Sequence, residues 1–199
     1  MRSLQSKKEL ILEAELDFTR SIARALFEKP TVSFWMILIP VLLVYFIYRM
    51  KKYQNGRRRF EAEFMLTRRK AVDLAAQSET FDRPPRIDDC VQSAGLSAEL
   101  AEPYRRLLST LVAYHRTLLS ADGDDYEELI RAAFPRRADF LDAIHNIGAA
   151  EKAFHDALRP GLRATPGALE IIAVIEDRAR RLRLQAAEAL YAPCTVAEK

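Results

Sequence analysis

The sequence predicts an all-α protein: a single transmembrane helix preceded by an amphipathic helix and followed by a stalk helix and a compact helical bundle. Three observations predict it. No segment alternates apolar and polar residues over a useful length, so no sheet is expected. Glycine is scarce, with six in 199 residues, while alanine, leucine, arginine and glutamate are abundant, as suits helices. Residues 30–48, PTVSFWMILIPVLLVYFIY, carry no charge between Lys29 and Arg49. As a helix rising about 1.5 Å per residue, that stretch reaches roughly 28 Å, close to the hydrocarbon thickness of a bilayer.

Residues 1–29 read as an amphipathic amino-terminal arm. Ile11, Phe18, Ile22 and Leu26 recur near helical spacing, with Lys7, Lys8, Glu9, Glu13, Asp17, Arg20 and Arg24 on much of the rest. Such a helix suits a membrane surface or a protein partner. Lys29-Pro30 breaks the arm before the span. Within the span, Trp35 lies near one end and Tyr45 and Tyr48 near the other, where amphipathic rings settle at a membrane interface. Pro40 sits in the middle. It kinks a crossing helix or bends a re-entrant hairpin, because it lacks a backbone donor. The stretch begins after 29 residues that include five acids, and no small-residue cleavage pattern follows. It therefore reads as an uncleaved signal anchor.

Residues 49–79 form a basic juxtamembrane segment and stalk. Arg49, Lys51, Lys52, Arg57, Arg58 and Arg59 are candidates for contact with anionic lipid head groups, each worth about 1 kcal/mol near the surface. Seven basic residues fall in the window 49–68, against three in 10–29. The positive-inside rule then expects the carboxyl-terminal domain in the cytoplasm, with the amino terminus opposite. Phe60 and Phe64 continue an apolar stripe beyond the block, on a stalk helix from Arg57 to Gln77 that follows an interruption at Asn55-Gly56. With Ile11, Phe18, Ile22 and Leu26, these two phenylalanines are the candidate partner-binding residues.

Residues 80–192 read as the bundle, and 193–199 as a tail. A loop from Thr80 to Arg86, TFDRPPR, precedes a short helix, Ile87 to Ser93, stopped by Gly95. Ser97 caps a short turn, and Pro103 opens a long helix with Leu107, Leu111, Tyr114 and Leu118 inward. Asp124 or Asp125 caps a helix carrying Leu129 and Ile130, which Pro135 ends. Arg136 to Leu158 presents Phe140, Ile144, Ile147 and Phe154, and Arg159-Pro160-Gly161 breaks it. Thr165 followed by Pro166 starts the last helix, which buries Ile171, Ile172, Ile175, Ala179, Leu182 and Ala186.

Residues 1–59 hold 12 basic and 5 acidic residues, while the remainder holds 19 and 23. The positive charge thus gathers around the apolar stretch, which favours anionic lipid over nucleic acid. Cys90 and Cys194 have no metal-type spacing and imply no disulfide framework. No phosphate-binding glycine loop, nucleophile elbow or metalloprotease motif is present. Asp142-x-x-His145 and Glu151-x-x-x-His155 share one predicted helix and lack the paired Glu-x-x-His form of di-iron bundles, and His115 stands alone. No cofactor or small-molecule substrate is implied.

The expected function is a non-catalytic accessory, scaffold or assembly subunit of a larger membrane complex, with other membrane subunits or further copies of the chain as partners. The excess of arginine over lysine points to a bacterial inner membrane. The alternative is a membrane-anchored regulator whose domain binds a soluble partner. A weaker one is an enzyme with a dispersed carboxylate site near Asp139, Asp142 and Glu151.

Overall fold

The computed structural model describes residues 2–27, 40–163 and 167–192, with residues 40–55 as backbone alone. These residues form seven helices and no strand: α1 (Leu4–Leu26), α2 (Pro40–Phe81), α3 (Ile87–Ser93), α4 (Ala98–Ser120), α5 (Tyr126–Ala133), α6 (Arg137–Leu162) and α7 (Ala168–Leu190).

α1 starts where the Ser3 hydroxyl accepts a hydrogen bond from the Ser6 N–H at 3.2 Å, satisfying one of the unpaired donors of the first turn. α1 then lies antiparallel to the carboxyl-terminal two-thirds of α2. Lys8 pairs with Asp73, Thr19 meets Met65, and Phe27 meets Phe60, so rising numbers on one helix match falling numbers on the other. α1 is therefore no separate arm. Ile11, Ile22 and Ala23 have no exposed surface, and Ile11 shares one core with Val72, Leu108, Leu111 and Ile147. A second, smaller core gathers Ile22 of α1, Phe60 and Phe64 of α2, and Ile175 and Ala179 of α7.

α2 runs unbroken through Asn55-Gly56, where the sequence predicts an interruption. The glycine serves a close approach instead: a Cβ placed on Gly56 would stand 2.9 Å from Cε1 of Phe27. α2 is described from Pro40 onward. The predicted crossing helix is not found. Among the described residues no helix is long and apolar enough to cross a membrane, and Trp35, with the rest of residues 30–39, lies outside them.

α4 is the central helix and packs on α2 and α6. It starts at Ala98 and carries Pro103 as its sixth residue, so the short turn expected at Ser97 is the first turn of the same helix. Asp125 caps α5 through Oδ1, which accepts from the Glu128 N–H at 2.8 Å. α6 likewise continues through Pro160 to Leu162. Thr165 and Pro166 lie outside the described residues. The residue before α7 is Gly167, with φ of +76°, a left-handed conformation that glycine adopts without strain. α7 turns Ile172 and Ile175 inward but leaves Ile171 half exposed, against expectation. Its end is tied down where the Tyr191 hydroxyl donates to the Phe134 carbonyl at 2.5 Å.

Candidate functional site

The interior of the bundle holds charge. Arg68 of α2 is 5 % exposed and lies between the rings of Phe18 and Phe64, 4.6 and 4.9 Å from their centroids. Its guanidinium donates to Glu15 of α1 and, at 2.7 Å, to Glu151 of α6. Glu151 also accepts both ends of the Arg183 fork from α7, each at 2.7 Å. Arg183 in turn rests over Phe18, 5.1 Å from the ring centre. Two carboxylates and two guanidiniums from four helices thus balance to zero in a shell of aromatic faces. Bidentate geometry and flanking rings are what make such buried charge tolerable.

His115 of α4 completes the cluster. It is fully buried, and its Nε2 stands 3.5 Å from Glu15 Oε1, too far for a good hydrogen bond. Neither ring nitrogen has a hydrogen-bond partner among the described residues. Burial pushes its pKa down to about 4, against the pull of Glu15, so the ring is neutral near pH 7. Burial alone would raise Glu15 and Glu151. The charge and hydrogen bonds of Arg68 outweigh it at Glu15, and those of Arg183 and Arg68 do so at Glu151. Both carboxyls are held below the usual range, Glu151 at about 2.

An acid–base catalyst near neutrality needs a group poised close to that pH and able to reach a substrate. Glu151 has neither property, because both its oxygens are committed to arginine. Of the dispersed site suggested by Asp139, Asp142 and Glu151, the structure brings Asp142 and Glu151 to the wall of one groove between α6 and α7, and Asp139 is not part of that wall. Asp139 pairs with its neighbour Arg136 at 2.9 Å on the surface, and Asp142 stands on the wall of a surface groove. The cluster acts as a lock among α1, α2, α6 and α7. Removing one member would strand a buried charge, at a cost of about 3–5 kcal/mol.

A second polar device joins α1 to α4. Lys7, expected on the polar face, is buried, and its Nζ donates to the carbonyls of Leu119 at 3.3 Å and Ala121 at 2.5 Å. A cation there satisfies orphan acceptors at the carboxyl end of α4 and meets the negative end of the helix dipole.

No family model matches this chain, and no curated protein or solved structure matches it either. The geometry alone therefore carries the functional reading. The residues expected to bind a partner are used within the chain. Ile11 belongs to the main core, while Phe18, Ile22, Leu26, Phe60 and Phe64 close the contact of α1 and α2 with α7. Of the lipid-contact candidates, Arg57 and Arg59 pair with Glu61 and Glu63 one turn on, at 2.7 and 2.8 Å, and Arg58 is exposed. Arg49, Lys51, Lys52, Tyr45 and Tyr48 fall on the backbone-only part of α2.

His155 Nδ1 lies 3.1 Å from the accepting Glu176 carboxylate of α7, and Arg159 donates to the same carboxylate. Among the described residues no three His, Cys, Asp or Glu side chains converge to hold a metal ion. Between α6 and α7 lies a groove of about 790 Å³, walled by Leu141, Asp142, His145, Lys152, Asp177 and Leu184. Four of the six exposed large apolar side chains among the described residues stand on α7: Leu169, Ile171, Val174 and Leu184.

Proposed function

We propose that this chain is a membrane-attached, non-catalytic accessory or scaffold subunit whose helical domain holds a protein partner at the membrane surface. One observation carries the reading: α2 runs as a single helix of 42 residues from the uncharged end at Pro40 into the core beside α1 and α4. A helix shared by an apolar stretch and a packed core couples them without a flexible linker, as positioning a domain at a membrane requires. The basic residues at 49–59 along that helix favour anionic head groups, and a bacterial inner membrane with the domain in the cytoplasm suits their charge.

The interior charges support a structural role, since they are spent on one another. The partner contact falls to α7, whose outer face keeps Ile171 and Val174 in solvent one turn apart. The α6–α7 groove favours a second reading, a regulator that binds a soluble ligand or partner and exchanges with it.

Native co-purification separates the two. The full-length protein, tagged at its carboxyl terminus, is extracted from membranes in mild detergent, sized, and its companions are identified by mass spectrometry. A stoichiometric assembly larger than the chain is the expected result. A lone monomer would overturn the subunit reading and leave the regulator.

A further inference from the structure

Among the described residues, the contacts of α1 with α2 fall beyond the apolar stretch. Phe27 lies against Gly56 and has its ring 6.2 Å from that of Phe60. Thr19 is 3.3 Å from the Met65 sulfur, Glu15 binds Arg68, and Lys8 Nζ is 2.7 Å from Asp73. Residues before and after the stretch therefore touch one another. A helix crossing between Lys29 and Arg49 would put a hydrocarbon layer of about 30 Å between those same residues. Both cannot hold, and the α1–α2 contact is built of fully buried apolar side chains with a buried ion pair across it.

We infer that the amino terminus and the helical domain lie on the same face of the membrane. This rests on the membrane attachment proposed above and replaces the crossing anchor expected from hydropathy. The dimensions agree. From Gly56 back to Pro40, α2 rises about 24 Å. The connection from Phe27 to Pro40 can reach about 43 Å at full extension, so the chain has the length to return to the start of α2 from the end of α1. All the flanking basic residues then act on one anionic leaflet, and the positive-inside rule assigns that face to the cytoplasm.

The test uses full-length protein in bacterial membranes, with Cys90 and Cys194 replaced by serine. Ser3→Cys and, separately, Gln92→Cys place one exposed thiol before and one after the stretch. A membrane-impermeant maleimide is applied to right-side-out and to inverted vesicles. In a third variant, Lys8→Cys with Asp73→Cys, carbonate-washed membranes are treated with a short bis-maleimide. The expected results are labelling of both single thiols from the same side, in inverted vesicles, and an internal cross-link at monomer mass. Labelling from opposite sides would overturn the same-face topology while leaving membrane attachment intact. Recovery of the chain in the carbonate supernatant would overturn attachment itself, and the topology with it.

Discussion

His115 makes the bundle sensitive to acid. The unfolded chain takes up a proton at this residue below about 6.5, whereas the buried ring does so only at about 4. Between those values the unfolded state binds more protons, so stability falls as pH drops from 6.5 to 4, by about 3 kcal/mol, and is unaffected by this group above 6.5. Glu15 and Glu151 act lower. Their depressed values contribute stability that is present above the ordinary carboxylate range and is lost as pH falls through their lowered values, about 2 for Glu151. Chemical denaturation of His115→Leu at pH 7 and pH 5 should show the drop between the two pH values largely abolished relative to the parent protein. An unchanged drop would assign the acid sensitivity to other groups. Of this cluster the sequence singled out only Glu151, as a member of a dispersed carboxylate site and not as the partner of two arginines. For its pairing the signal was phase: Glu15 falls in register with Ile11 and Ile22, and Arg68 with Phe60, Phe64, Ala71 and Ala75. Charge on an apolar stripe announces a buried pair, but only the fold shows which helices pair.

At the scale of the element, periodicity and caps were readable where helices are amphipathic and end in open turns. The Ile87–Ser93 helix and the Asp125 cap are found as expected. Breaker residues misled where packing decides. Gly56, Pro103 and Pro160 all lie inside helices, because neighbouring contacts or nearness to a helix end outweigh a local preference of about 1–3 kcal/mol. The same distinction governs Lys7, an unremarkable charge on α1 that caps the carboxyl end of α4. Replacing it by methionine keeps most of the apolar stem but leaves the Leu119 and Ala121 carbonyls without their cation. Lys7→Met should therefore destabilise the protein by about 1–3 kcal/mol, measured by urea unfolding, and speed amide exchange at the end of α4. Lys8→Met, on the more exposed pair with Asp73, should cost less than 1 kcal/mol.

For the molecule as a whole, the boundary that hydropathy drew at residue 29 separates two parts of one core. An apolar run dominates any sequence reading, and the segment before it looks like an arm because its partners lie thirty to a hundred and seventy residues away. The structure makes α1 a wall of the bundle against α2, α4, α5 and α7. Removing residues 1–27 tests this directly. If α1 were an independent arm, the truncated chain would keep its unfolding cooperativity. As a wall, its loss exposes Val72, Leu108 and Ile175, deprives Arg68 of Glu15, and uncaps α4. The uncompensated guanidinium alone costs about 3–5 kcal/mol, a large share of the 5–15 kcal/mol available to a domain of this size. The truncated protein should bind a hydrophobic dye, melt without a cooperative transition and be cut by protease within α2, and adding a synthetic peptide of residues 1–27 should restore part of the transition. A truncated chain that melts like the parent would show that α1 is dispensable to the core and remove the contact on which the same-face topology depends.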